Sequence, residues 1–367
     1  MPAPRQRSNA LSALAQLACL GVPGDAVVDD LLLVLRDLVG WDLSVYMALD
    51  AQAGPADLRT SPGVTQQEMA TYLRRWHGRG ESAHFAPQMR DALRRRLYDC
   101  VRTSDAMPRL HHTAYFNEMM RPAGLAWGVR AVLREDGVPL GTFALGRARG
   151  RPDFSQRDVA LLRQALPHIA HAVARKGAAR AQDGGDPLHA AESALVLVDG
   201  QGRIQSGSGA AWSLLARAAG RAQALGTVDD LALAWAQPWL AALVQRMQAL
   251  LLGAPGRPPV VVERNRYGSF HLRGYVLEPG GGAMAGLYGV QIERRVPLAQ
   301  RLFVSAAFRE FTARERDVCL HLAQGGATAD IAQALGVQAS TVVTHTRSIY
   351  QRLQINARSQ LVPALLS

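Results

Sequence analysis

The segment with the clearest chemical pattern runs from Phe311 to Tyr350. Near its end Ser340, Thr341, Val343, Thr344 and Arg347 bring hydroxyl and guanidinium donors onto one short stretch. The elements that must position them are legible in the same segment. Thr312 and Glu315 have the spacing of a capping box that opens a helix, with Val318 and Leu322 on its buried face and Gly325-Gly326 at its end. Thr328 is placed to cap a second helix carrying Ile331, Ala332 and Leu335, and Gly336 stands where a helix C-terminus turns left-handed. Ser340 is placed to cap a third helix, in which Val342, Ile349 and Leu353 recur at i, i+7 and i+11, and Asn356 to cap a short fourth. Two short helices joined at a glycine turn, the second presenting Thr, Thr and Arg, have helix-turn-helix geometry.

Residues 311–362 resemble the helix-turn-helix domain of LuxR-type bacterial transcription regulators. The resemblance is carried by Thr312-Ala313-Arg314-Glu315, by Ile331-Ala332 through Leu335-Gly336-Val337, and by Thr341-Val342-Val343-Thr344-His345. It implies that the helix from Ser340 to Leu353 enters the major groove of double-stranded DNA. On that helix Val343, Thr344 and Arg347 match the family's base-reading face, and Thr328, Ser340 and Thr341 match positions that touch phosphates. Arg347 can then offer a bidentate pair to guanine O6 and N7, and Val343 can pack on a thymine methyl. The family usually places lysine where this chain has Val343, which removes one cation from the interface. His345 is expected to pack within the domain, and Glu315 to act as a cap. The fourth helix resembles the family's dimerisation helix, but Pro363 falls inside it and is expected to break a backbone bond.

Composition narrows what the rest can do. The chain has 367 residues and a formal charge of +11, which favours an anionic partner. Of its 41 basic residues only Lys176 is lysine, so part of the arginine excess reads as GC-rich coding. One lysine, with no phosphate-binding loop before it, excludes Walker-type and kinase chemistry and disfavours a phospho-acceptor receiver. Cys19, Cys100 and Cys319 are odd in number and far apart, which points to a reducing cytoplasm. No apolar run is long enough to span a bilayer. Residues 10–20 read as an amphipathic helix with Leu11, Leu14, Leu17 and Leu20 at helical spacing, Gln16 interrupting any signal-like core.

The remaining residues divide into two α+β segments. The first has helices at 10–20 and Asp25–Val39, a strand at Trp41–Leu49, and helical stretches at Gln66–Trp76 and Gln88–Tyr98. A hairpin follows, Gly128–Arg134 with Pro139–Gly146 about Glu135-Asp136-Gly137, then a helix from Ser155 to Arg175 striped by Val159, Leu162, Leu166, Ile169 and Val173. The second opens with a strand at Ala194–Asp199. Helices at Ala210–Ala218, Asp229–Leu233 and Pro238–Leu252 precede strands at Pro259–Arg264, Ser269–Leu277 and Ala285–Arg294. Their element orders resemble GAF-like and PAS-like domains. The expected fold is multidomain α+β: a GAF-like unit at 1–176, a linker at 177–187, a PAS-like unit at 188–295, a connecting helix at 296–309 (Pro297–Phe308), and an all-α helix-turn-helix domain at 310–367.

Trp41, Tyr46, Trp76, Tyr115, Phe116 and Trp127 are the candidate ligand-pocket residues of the first unit, with ordinary core packing as the competing reading. Cys100, His111, His112, His168 and His171 lack a metal-ligand spacing, and Ser206-Gly207-Ser208-Gly209 is no nucleophile elbow. No catalytic residue, cofactor or metal is expected. The reading is a cytoplasmic, homodimeric regulator that binds double-stranded DNA and answers a small-molecule or protein signal, with RNA polymerase as a further partner. The alternatives are an acyl-homoserine-lactone receptor, or an enzymatic or protein-binding front end on a DNA-binding tail.

Overall fold

The computed structural model describes residues 4–51, 55–61, 75, 99–107, 109–175, 188–220, 236–254, 257–277 and 286–367. The expected helices at Gln66–Trp76, Gln88–Tyr98 and Asp229–Leu233 and the 177–187 linker lie outside them, but for Arg75.

The first unit is an antiparallel sheet with helices on one face. Strands β1 (Leu43–Leu49), β2 (Pro55–Thr60), β3 (Cys100–Arg102), β4 (Leu125–Glu135) and β5 (Val138–Ala148) lie in the order β2-β1-β5-β4-β3. Asp136 and Gly137, with φ of 50° and 81°, form the two-residue turn that lets β4 and β5 pair with the natural twist. The first strand begins at Leu43 rather than Trp41, because Gly40 closes the preceding helix and the Trp41 indole donates back to Leu32 O at 3.1 Å. Helices α1 (Pro4–Ala18), α2 (Gly24–Val39) and, after the short α3 (Thr103–Ala106), α4 (Gln156–Ala174) cover the sheet. Leu14, Leu17, Leu31, Leu35, Leu162 and Ile169 fill the layer between, each at most 2% exposed. Ser155 and Asp158 form the capping box of α4. Asp158 is also fully buried against Arg147 and Arg7, tying α1, β5 and α4 at one corner.

The second unit repeats the plan. Strands β6 (Leu188–Val198), β7 (Ile204–Gly207), β8 (Val260–Asn265), β9 (Gly268–Val276) and β10 (Tyr288–Pro297) pair in the order β7-β6-β10-β9-β8, the same relative order as in the first. Helices α5 (Ala211–Ala218) and α6 (Gln237–Leu251) pack on one face around Phe270, Leu272, Val290 and Ile292. The expected connecting helix is two pieces, α7 (Leu298–Val304) and α8 (Ala306–Glu310). Ser305 leaves helical geometry at φ −66° and ψ 126° and restarts the chain by accepting a hydrogen bond from Phe308 N. The break turns Phe303 and Phe308 onto each other, ring centroids 5.1 Å apart, in one core with the first unit.

A polar junction joins the two units. Glu192 accepts from Arg217 at 2.6 Å and Arg294 at 2.8 Å, and Arg217 reaches Asp29 of α2 at 3.2 Å. Arg294 and Gln300 both donate to Ala26 O, and Gln300 also donates to Asp30 at 2.7 Å. Burial opposes ionisation of Glu192, yet the two arginines hold its carboxyl down at about 2. At Asp30 burial outweighs Arg294 and the Gln300 hydrogen bond and pushes the carboxyl up to about 6. No described helix is long and apolar enough to cross a membrane.

These two carboxyls act on stability with opposite signs. Asp30 binds its proton more tightly folded than unfolded, so its contribution weakens as pH rises from about 4 to about 6. Asp30→Asn removes that loss: urea titrations at pH 4.5 and 7.5 should show the variant gaining on the parent at the higher pH by about 1–3 kcal/mol. An unchanged difference across that range would place the ionisation elsewhere.

Candidate nucleic-acid interface

The C-terminal domain comprises α9 (Ala313–Ala323), α10 (Thr328–Leu335), α11 (Ala339–Leu353) and α12 (Leu361–Leu366). Val318, Leu322, Ile331, Val342, Ile349 and Leu361 form its core. The capping box forms as the spacing predicts: Thr312 Oγ1 accepts from Glu315 N, and Thr312 N donates to Glu315 Oε2 at 2.9 Å. Glu315 does more than cap. Its carboxylate also accepts from Ser348 Oγ at 2.7 Å and Arg352 at 3.2 Å, clamping α11 onto the start of α9. Burial works against this charge, but the Thr312 N–H, Ser348 and Arg352 together hold the carboxyl below its ordinary range. Gly336 sits at φ 63° and ψ 39°, and Val337 N returns to Ala332 O, so α11 leaves α10 through a tight left-handed corner.

The turn and clamp fix which side of α11 meets solvent. Val342 and Ile349 are fully buried, while Ser340, Val343, Thr344, Arg347 and Gln351 form an exposed row at i, i+3, i+4, i+7 and i+11. Val343 is 40% exposed, high for an aliphatic side chain on a structured helix. Thr344 Oγ1 donates to Ser340 O. Thr341 and His345 are half-buried and Thr328 is exposed at the start of α10. Three expected caps are corrected. The N-cap positions of α10 and α11 belong to Ala327 and Gln338, neither making a side-chain cap, so Thr328 and Ser340 lie inside the first turns. Asn356 caps nothing; Gln360 reaches back to accept from Asn356 N and Ala357 N. Pro363 breaks no helical bond, because it is the third residue of α12, where N–H groups lack intrahelical acceptors. Leu361 and Leu365 turn α12 inward.

Helix α1 holds this domain from behind. Asn9 donates to Glu310 O at 2.7 Å, and Gln16 donates to Asp317 Oδ1 at 2.7 Å and Ala313 O at 3.1 Å. Arg316 is fully buried and donates to Gln16 Oε1 at 2.6 Å, to Ser12 Oγ, and to the carbonyls of Arg309 and Phe311. None of these four bonds goes to a carboxylate, and desolvation lowers its pKa to about 10 against the pull of Asp317 and Glu315. Sequence reasoning missed this socket. The available signal was Asn9, Ser12 and Gln16 at i, i+3 and i+7, a polar stripe within the otherwise small and apolar run 9–18.

The aromatic candidates of the first unit divide by face. Trp41 and Tyr46 belong to the core on the helix-covered face, the competing reading for these residues, and are not among those lining the cavity on the other face. Trp76 lies outside the described residues. Tyr115 and Trp127 line a cavity of about 140 Å³ on the opposite face, while Phe116 packs with Met107, Leu110 and Met120 behind it. Strand parity explains the split: Leu43, Val45 and Met47 face the cavity and Tyr46 points away. Arg130, Thr103 and Thr142 also line it and were missed; strand alternation along β4 and β5 was the signal for Arg130 and Thr142.

The family profile described as bacterial regulatory proteins, luxR family, matches residues 309–364. No curated protein matches the chain. Among solved structures, a GAF domain/HD domain protein from Geobacter sulfurreducens is 22% identical, over 41% of this chain and 93% of that one, with a TM-score of 0.29. Escherichia coli SdiA is 11% identical over 93% of this chain and 91% of that one, with a TM-score of 0.27. Both scores are low, so functional weight rests on the C-terminal match and the geometry of α11.

Replacing Arg316 with Met should strip the socket of its donors, leaving Gln16, Ser12 and two carbonyls buried without them. A stability loss of about 1–3 kcal/mol by urea unfolding is expected, with Asn9→Ala additive to it only in part. Parent-like stability of Arg316→Met would show that the socket does not hold the domains together.

Proposed function

We propose that this chain, whose residues 309–364 form a luxR-family helix-turn-helix domain, is a sequence-specific transcription regulator that binds DNA as a homodimer on a two-fold site. The observation that carries the reading is the exposed row on α11. An aliphatic, two hydroxyls and a guanidinium face solvent together on a helix whose other side is locked into the domain core. Arg347 makes no ion pair or hydrogen bond among the described residues, so its five donors are available to a guanine edge or a phosphate. The uncapped first turns of α10 and α11, with Thr328, Ser340 and Thr341 on them, suit phosphate oxygens, which such N–H groups favour.

The two front units then act as the sensor. They hold the DNA-binding domain through α1 against α8 and α9 and leave the row on α11 exposed. A signal need not uncover the reading helix in this arrangement; it can act by changing how two copies present their helices. Such a shift requires the signal to bind one arrangement better than the other.

Selection of genomic DNA fragments by the full-length protein at physiological salt tests the reading, with a palindromic site as the expected outcome. On that site Arg347→Ala should cost about 1–3 kcal/mol and relax discrimination at one base pair per half-site. Binding of every sequence with parent-like affinity by the variant would remove α11 from the groove.

A further inference from the structure

The cavity of the first unit lies over three cross-strand rows of its sheet. Leu43, Gly146 and Gly128 make the first row, Val45, Ala144 and Arg130 the second, and Met47, Thr142 and Val132 the third. Over the first row the roof rests on bare backbone. A Cβ on Gly128 would lie 2.6 Å from Thr103 Oγ1, and one on Gly146 would lie 2.7 Å from Leu125. The open volume of about 140 Å³ is therefore left over the second and third rows, where Ala144 is the smallest side chain. It is close to an engineered cavity of about 150 Å³ that takes up benzene, so a single six-membered ring fits.

Two features of this lining set the polarity of a ligand. Arg130 brings a charge, but that charge is already held. Its Nη2 donates to Tyr115 Oη at 3.1 Å, its guanidinium stands over the Tyr115 ring at 5.9 Å, and both residues have further interactions besides this pair. An ion entering here would shed its water without a new opposite charge to meet, which disfavours it. Thr142 is the opposite case. It is 9% exposed, it lines the cavity, and its hydroxyl makes no hydrogen bond among the described residues. A buried hydroxyl without a partner is costly, and a neutral hydrogen-bonding group on a ligand removes that cost. Around it Val45, Met47 and Val132 offer apolar surface.

We propose that this cavity binds a small neutral molecule built on one six-membered ring and bearing one hydroxyl, with the ring on Val45, Met47 and Val132 and the hydroxyl on Thr142 Oγ1. The assignment rests on the reading of the front units as the sensor of a DNA-binding regulator and names the chemistry of the signal. Phenol is the simplest member of the class, and it stays neutral at neutral pH because a phenolic hydroxyl titrates at about 10. Toluene has the same shape without the hydroxyl, and benzoate has the same ring with a charge.

The test is calorimetric titration of the full-length protein with these three molecules. Phenol should bind, and benzoate should bind about tenfold more weakly or not at all. Thr142→Val keeps the shape of the site and removes the hydroxyl. It should weaken phenol about three- to tenfold and leave toluene unchanged or tighter. Ala144→Leu puts a side chain into the volume itself and should lose phenol and toluene alike; melting temperatures check that both variants fold. The proposal is overturned by no phenol binding to the parent, by benzoate binding as tightly as phenol, or by phenol binding that survives Ala144→Leu. It is equally overturned if Thr142→Val leaves phenol undiminished or weakens phenol and toluene to the same extent. DNA selection by the parent is scored separately. A selected palindrome with no phenol binding overturns the ligand class and leaves the regulator standing, whereas phenol binding without selected DNA upholds the ligand class and overturns the regulator.

Discussion

Helix α1 is buried on two sides, and the arrangement of the chain follows from that. Its Ala13, Leu14 and Leu17 face enters the core of the first unit, and its Asn9, Ser12 and Gln16 face bonds to residues 300 or more positions later, in α8 and the DNA-binding domain. A buried guanidinium is costly unless its donors are satisfied. Arg316 meets that condition with neutral partners, two from α1 and two from the chain just before it. The bonds are directional, so they set an orientation that a purely apolar contact between small side chains would leave loose.

That orientation has a functional consequence. The docking surface is α8 and the face of α9 turned to α1, whereas the candidate reading surface is on α11. Glu315 connects the two, because one carboxylate caps α9 and holds Ser348 and Arg352 of α11. Movement of α1 would be passed to α9 and, through Glu315, to the reading helix as a rigid displacement. The break at Ser305 and the Phe303–Phe308 contact keep the connection from the second unit short and packed.

The front units use one sheet plan in two ways. Each puts helices on one face, and the first unit also carries its cavity on the other. The helix-covered face leads to α1, α2 and α4, and α2 meets the second unit through Asp29, Asp30 and Ala26. The cavity on the open face is therefore separated from the docking helices by a single layer of strands.

Strands β2 and β3 were not legible in the sequence, whereas the hairpin at Asp136-Gly137, the helix start at Ser155, the capping box at Thr312 and the left-handed corner at Gly336 were. Each depends on residues within a few positions of one another, where local geometry has few alternatives. The apolar stripes likewise gave the buried faces, and the exposed row on α11 follows from Val342 and Ile349 being inside. The caps read at Thr328 and Ser340 fall one and two residues inside their helices, whose N-cap residues Ala327 and Gln338 make no side-chain cap, and at Asn356 the Gln360 side chain takes the backbone donors instead. For Trp41 and Tyr46 the sequence left pocket and core open, because an aromatic's type does not reveal which sheet face it occupies. The continuous helix from Pro297 to Phe308 was broken by a tertiary demand, the burial of Phe303 against Phe308. Above all, Gln16 and Arg316 are separated by 300 positions. Only the folded chain brings them together, since no local pattern encodes a partner at that distance.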